Sequence, residues 1–321
     1  MLADGRRLHM QDGPIDLILQ AFGEFSEIEN AYRAASDRFV TVLDELCNEL
    51  TTLRQPWHAD LTVHGAIARR MVQAVAPHGR NTFITPMAAV AGAVAEEILE
   101  SMTANAQLAK AYVNDGGDIA LYLSDGEEFS VGMIERPDRS SLFGMLRIHA
   151  THPVHGIATS GWRGRSFSLG VADAVTVLAR NAADADAAAT IIANAVDLPA
   201  SEKIVRVRAC ELAPDSDLGE RLVTQSVAQL SLQDIHQALD AGASVAAHLQ
   251  AENLICAAAL RLQGETRIVG THAESLFGGV QIRGAWYATE ETRTCLRFNF
   301  ARTFSCWKKF STKAAQSRKR R

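Results

Sequence analysis

Hydrophobic spacing along this chain switches repeatedly between a period of two and the helical period, and the order of those stretches sets the first structural expectations. Leu8 to Gln11 and Ile15 to Ala21 read as two short strands either side of Asp12-Gly13-Pro14, a turn signal. From Ser26 to Leu53, Ile28, Tyr32, Ala35, Phe39, Val42, Leu43, Leu46 and Leu50 recur on one helical face. Ser26 and Glu29 have the spacing of a capping box, and Pro56 ends the pattern. A second helix is predicted over about His64 to Ala76, stopping near Pro77-His78-Gly79. A third follows Thr85-Pro86 and runs from Ala88 to Met102; its small residues Ala88 to Ala93 suit close approach by a neighbouring element.

Strand character then takes over. Ala109 to Asn114, Ile119 to Ser124 and Phe129 to Ile134 are joined by Asp115-Gly116 and Asp125-Gly126, which predicts a three-stranded meander. Further strands are expected at Leu142 to Ala150, Ala174 to Leu178 and Lys203 to Leu212, with a helix over Asp184 to Ala195. Helices near Leu218 to Leu230 and Ser231 to Leu249 precede a hairpin over Cys256 to Val269. Strands, helices, more strands and then the same mixture describe an α+β fold rather than an alternating parallel sheet. Residues 1–300 read as one domain, or as two intimately packed halves, and 301–321 as a basic, poorly ordered tail.

Composition narrows the function classes. Of the 321 residues, 47% are hydrophobic and 21% charged, which is the profile of a folded protein with a sizeable core. No charge-free apolar run reaches membrane-spanning length, and the residues after Met1 carry no apolar signal core, so a cytoplasmic location is expected. The five cysteines (Cys47, Cys210, Cys256, Cys295 and Cys306) are scattered without a C-x-x-C pair, which argues against a disulfide framework or a zinc ribbon. Net charge is −5, so nothing draws the chain generally toward nucleic acid. The eight basic residues from Arg302 onward, with no acidic ones, allow the tail at most a weak contact with nucleic acid or another acidic surface.

Three segments have the residue types for chemistry. Asn114-Asp115-Gly116-Gly117-Asp118 combines glycines that let a ligand approach the backbone with a carboxylate, although Asp-Gly-Gly-Asp between strands is also an ordinary hairpin turn. Thr159-Ser160-Gly161-Trp162-Arg163-Gly164-Arg165 gathers hydroxyls, glycines and two guanidinium groups suited to phosphate; a solvated polar loop has the same composition. Asp186 and Thr190, four apart, share a helical face and offer hard oxygen ligands for magnesium, while Asp184 or Asp186 would serve equally as a helix N-terminal cap. His149, His152 and His155 are spaced by three around Pro153, which suits neither a helix nor one strand face and argues against a three-His metal site. Walker, Rossmann, nucleophile-elbow and zincin motifs are absent.

Taken together and in this order, the three segments resemble the ApbE-like superfamily, which includes the FAD:protein FMN transferases. The resemblance runs from about Thr85 to Asp197, with a weaker likeness at Gly13-Pro14-Ile15-Asp16-Leu17, and is closest to an uncharacterised cytoplasmic branch. It implies a T-fold-type architecture, antiparallel sheets backed by helices with an internal duplication. It also implies FAD bound by Asn114, Gly116, Gly117, Asp118, Thr159, Ser160 and Gly161, with Arg163 and Arg165 as further phosphate partners, and magnesium bound by Asp186 and Thr190. The implied reaction is attack of an acceptor protein's threonine on the FAD diphosphate, leaving FMN attached and releasing AMP, with Asp186 as the catalytic carboxylate. Two positions depart from the transferase pattern: Ala91 replaces the lysine before Gly92, and Ser166 to Gly170 contains no histidine. The alternatives are a non-catalytic flavin-binding carrier and a cysteine-using sulfur-metabolism factor.

Overall fold

The computed structural model describes residues 1–136, 139–270 and 277–278. The predicted basic tail, Cys295 and Cys306 lie outside them. Strands β1 (Leu8–Asp12) and β2 (Ile15–Phe22) form the expected first hairpin, with Asp12 opposite Ile15 and Gly13 at positive φ between them. Helix α1 (Phe25–Leu53) buries Ala31, Ala35, Val42, Leu43 and Leu46 on one stripe. It starts one residue earlier than expected: Glu24 is the N-cap and no side chain caps the helix, so Ser26 does not begin a capping box. Helix α2 (Ala66–Gly79) follows, and a short 3-10 turn, Pro86–Ala89, leads into α3 (Val90–Asn105).

Strands β3 (Lys110–Asp115) and β4 (Asp118–Leu123) pair through a two-residue turn whose Gly116 and Gly117 both have positive φ, as such turns require. Beyond them come β5 (Glu128–Arg136), β6 (Arg139–His149), β7 (Gly156–Ser160) and β8 (Ala174–Ala179). Then follow α4 (Ala182–Ala195), β9 (Ile204–Arg208), the single turn α5 (Ala209–Leu212) and β10 (Leu222–Val227). Helix α6 (Leu232–Ala251), β11 (Ala257–Leu262), β12 (Glu265–Gly270) and β13 (Phe277–Gly278) complete the described elements.

One eight-stranded antiparallel sheet, in the order β1-β2-β3-β4-β7-β8-β11-β12, organises the fold. Its halves share a plan: hairpin β1–β2, helices, hairpin β3–β4, and then β7–β8, helices, hairpin β11–β12. The α+β expectation, antiparallel sheet backed by helices with a duplicated plan, therefore holds. Alternation along β3 divides two cores, sending Ala111 and Val113 to the helical side and Tyr112 to the opposite side. On that opposite side β5 and β6 cover the sheet through Phe129, Val131, Leu146 and Ile148.

Three expectations need correction. The meander stops after two strands: β7 pairs with β4, while β5 pairs with β6 in a separate sheet. Its apolar face, Phe129, Val131 and Met133, is buried by lying across the large sheet rather than by extending it. The helix expected over Leu218 to Leu230 is instead β10, paired with β9 in a two-stranded ribbon that buries Val223 and Thr224. Pairing with β9 overrides the helix-forming composition of that segment. Finally, Lys203 to Leu212 is divided between β9 and α5.

Candidate functional site

The sheet opens where its halves meet. The β4–β7 ladder contains only Ala120 opposite Gly156 and Ile119 opposite Ile157. Past that point the next outward N–H, that of Thr159, donates instead to Asp118 Oδ1 at 3.2 Å. A cleft occupies this divergence, walled by the β3–β4 turn, the start of α3, part of β5, the end of β7, the loop 161–166 and the start of β8.

One buried acid, one half-buried acid and a third behind them give the cleft its electrostatic character. Asp115, 5% exposed, and half-buried Asp118 line it. Desolvation pushes the Asp115 carboxyl up to about 7, against the pull of Arg165, with a further push from Asp16. Desolvation and then the charge of Asp115 push Asp118 up to about 7 as well. Asp186, on α4, lies behind the lining; burial, then the charge of Asp118, raises it well above the usual carboxylate range. Its Oδ2 accepts from Gly92 N–H at 3.1 Å. That bond requires α3 and α4 to touch, and a Cβ on Gly92 would sit 2.2 Å from the Ala182 carbonyl oxygen.

The other predicted residues have definite places. Asn114 is buried and accepts from Gly117 N–H at 2.8 Å, so it holds the turn. The space beside Gly116 is filled by the Arg165 guanidinium: a Cβ there would lie 1.4 Å from Nη2. Thr159 Oγ1 is 3.0 Å from Thr176 Oγ1, and Ser160 and Gly161 join Thr159 in the cleft wall. Arg163 Nε donates to Asp173 Oδ1 at 2.7 Å, whereas Arg165 Nη2 stands 3.6 Å from Asp115 Oδ1. Thr190 is half-buried one turn beyond Asp186 and outside the lining. Among the described residues no three His, Cys, Asp or Glu side chains form a metal cage. His149 instead contacts Glu128 and His152. The cap of α4 is Asn181, which accepts from Asp184 N–H, so neither Asp184 nor Asp186 is the N-cap residue.

Sequence reading missed Asp115, Asp173 and Thr176. Asp115 looked like a turn residue; its signal was a polar pair, Asn114-Asp115, closing an otherwise apolar strand. Asp173 precedes the wholly buried β8 and accepts from Trp162 Nε1, Arg163 Nε and Gln263 N–H, a role with no local sequence signature.

Residues 1–268 match the family model described as AbpE bacteria. The chain belongs to this ApbE family. Among curated relatives, a UPF0280 protein of Methanothrix thermoacetophila is 41% identical over 148 residues, covering 45% of this chain and 59% of the relative. A UPF0280 protein of Methanococcus vannielii is 38% identical over 130 residues, covering 40% and 51% respectively. This ApbE-family chain thus spans little more than half the length of the curated relatives it matches. A solved flavin transferase ApbE from Vibrio cholerae is 11% identical with a TM-score of 0.47, covering 84% of this chain and 98% of that one. An ApbE protein from Thermotoga maritima is 13% identical with a TM-score of 0.32, covering 59% and 87%. Among the described residues, no helix is long and apolar enough to cross a membrane.

Proposed function

We propose that this chain binds a flavin dinucleotide in the β4–β7 cleft and acts in the cytoplasm as a magnesium-dependent transferase, moving FMN from FAD to a threonine of an acceptor protein. One observation carries the reading: the Gly116-Gly117-Asp118 turn and the Thr159-Ser160-Gly161 segment, remote in sequence, line one opening in the sheet, with Asp186 behind the lining and within reach of the Asp118 charge. Family membership supports the same chemistry.

A divalent cation suits this donor set. Asp115 raises the proton affinity of Asp118, and both raise that of Asp186, yet the three form no closed cage among the described residues. Magnesium is commonly held in that way, by one or two carboxylates completed by ligand phosphates and water. Asp186 and Thr190 are the proposed holders, with Asp118 beside them. The cation would supply neutralisation of the charge that develops on the diphosphate.

The chain's own groups account for the rest. Asn114 holds the glycine turn, and Asp118, by taking the Thr159 amide, holds the Thr159-Ser160-Gly161 segment against it. The acceptor hydroxyl oxygen forms a bond to the phosphorus on the FMN side while the bond to the AMP phosphate oxygen breaks. Asp186, whose proton affinity is raised by burial, takes the hydroxyl proton, and AMP leaves.

Calorimetric titration with FAD, with and without magnesium, followed by chromatography for AMP and FMN, tests the reading. Magnesium-dependent binding with AMP release is expected. A second reading, a non-catalytic flavin carrier, is favoured by Ala91, which places no cation on α3 beside Gly92, and by the lack of histidine among the described residues lining the cleft. Binding without products would select it. The cysteine-based alternative predicts lost function in a cysteine-free variant; Cys47, Cys210 and Cys256 lie outside the cleft lining.

A further inference from the structure

The loop between β7 and β8 carries two arginines with opposite fates. At its base, Asp173 is 7% exposed and accepts from Trp162 Nε1 at 3.3 Å, Arg163 Nε at 2.7 Å and Gln263 N–H at 2.6 Å. The Arg163 guanidinium also stacks 4.2 Å from the Trp162 ring centroid. Arg163 is therefore committed to the loop's own anchorage. Arg165, two residues on, crosses the cleft to the β3–β4 turn, and its head fills the space that only a glycine at 116 leaves open. Asp115 faces it from beneath at 3.6 Å, a charge contact rather than a hydrogen bond.

Arg165 is the only cationic side chain among the described residues lining the cleft, and it is 37% exposed. The contact with Asp115 involves one nitrogen, so the rest of the planar fork is free to donate to a ligand. Buried Asp115, aided by the sterics of Gly116, fixes where the head rests, and Asp173 fixes where its backbone starts. A guanidinium held at a cleft mouth by one carboxylate, on a loop anchored by another, suits an anionic group with several oxygens, such as a phosphate.

We propose that Arg165 is the residue by which this cleft selects phosphate-bearing flavins over the unphosphorylated ring system, and that Asp173 and Asp115 are its positioning residues. The inference rests on the reading that the cleft takes a flavin nucleotide. Discrimination comes from charge-assisted bonds that FAD and FMN accept and riboflavin cannot. Arg163, already engaged, contributes only through the anchor.

The test is a fluorescence titration of the full chain with FAD, FMN and riboflavin as separate probes. Arg165→Ala, an exposed substitution that leaves the core intact, is expected to weaken FAD and FMN about 10- to 100-fold while riboflavin binding stays unchanged. Arg165→Lys should recover part of the loss, because an ammonium supplies charge without the fork. Asp173→Asn should weaken FAD when Arg165 is present and have no further effect in the Arg165→Ala background, which a merely structural role would not produce. If Asp173→Asn does not fold, Arg163→Met loosens the same anchor and should give the same non-additive pattern. Undiminished FAD binding by Arg165→Ala would overturn the inference alone. Failure of the unaltered protein to bind any of the three flavins would overturn the reading of the cleft and the inference with it.

Discussion

Two charged regions of this protein contrast sharply. Across α1, α2 and α3, Arg38 meets Glu97 and Glu45 at 2.8 Å each, and Arg70 meets Glu96 at 3.2 Å and Glu97 at 3.4 Å and also pairs with Glu100. The belt reaches α4 through Ala183 N–H, which donates to Glu96 at 2.8 Å. At the cleft, Asp115 and Asp118 share a single guanidinium, 3.6 Å from its nearest oxygen on Asp115, and Asp186 lies behind them. Arg38 draws the Glu45 carboxyl down, while burial and then a neighbouring carboxylate drive the cleft acids up, Asp16 acting on Asp115, Asp115 on Asp118, and Asp118 on Asp186. Each belt carboxylate touches a guanidinium, and these contacts hold the helices together. Acids crowded around one guanidinium, at an opening in the sheet, are where an external positive charge or a proton would settle.

Removing the innermost acid should break the contrast most visibly. Asp186→Ala is expected to reduce AMP release from FAD by at least about 100-fold, as loss of a positioned general base does. Circular dichroism should show the fold retained, and the unfolding temperature should hold or rise, since a desolvated carboxylate has gone. Full-rate AMP release in that variant would sink the assignment.

A larger structural effect is expected at the junction between the regions. In Gly92→Ala the new methyl would meet the Ala182 carbonyl oxygen at 2.2 Å, forcing α3 and α4 apart. Overpacking of this kind costs about 1–3 kcal/mol, and separation of the helices would also stretch the Gly92 N–H bond to Asp186. Denaturant unfolding should show the loss, accompanied by weaker FAD binding. Unchanged stability would mean that the helices can part freely there.

These two sites also show how far the sequence could be read. The Ala88 to Ala93 stretch announced a close approach because small residues in a helix have few other uses, and α3 does press on α4 at Gly92. The hairpin turns at Gly13 and Gly116 were legible from turn chemistry alone, and α1 from its apolar stripe. Position across the sheet was not legible: Asp125-Gly126 marks a real turn, but no local signal shows that β5 leaves the sheet and β7 takes its place. Asp115 was hidden for a related reason. A turn aspartate becomes a buried charge only when Arg165, fifty residues later, closes over it. Conversely, Arg163 looked as suited to phosphate as Arg165 until Asp173 was seen to hold it.

The pH dependence of stability gives a smaller but more pointed measure of the same crowding. Asp115 and Asp118 stand at about 7 in the folded chain against 3.8 when free, so between those values the folded state keeps protons that the unfolded state has released. Their contribution is full at the acid end of this window and is lost as pH rises through about 7. His78 acts in the opposite sense lower down, because burial depresses it from 6.5 to about 4. Two acids outweigh one histidine, and calorimetry should find the unfolding temperature falling as pH rises toward about 7 and levelling above it. Asp115→Asn should flatten that fall; an equally steep fall in the variant would place its origin elsewhere.

The belt supplies the smallest effects, and its gradation tests whether its role is structural. Arg70, 28% exposed, joins three glutamates, and its replacement by Ala would leave Glu96 and Glu97, both mostly buried, short of a partner. A loss of about 1–3 kcal/mol is expected, below that of a fully buried pair because solvent still screens the arginine. Glu100 is 65% exposed, so Glu100→Gln should change stability by no more than about 0.5 kcal/mol, as an exposed pair does. Neither change touches the cleft lining, and both variants, assayed where they remain folded, should bind FAD as the unaltered chain does. If Arg70→Ala weakened FAD binding while the chain stayed folded, the belt would be coupled to the cleft through Glu96 and Ala183, and the division between a scaffold of paired charges and a site of crowded acids would have to be redrawn.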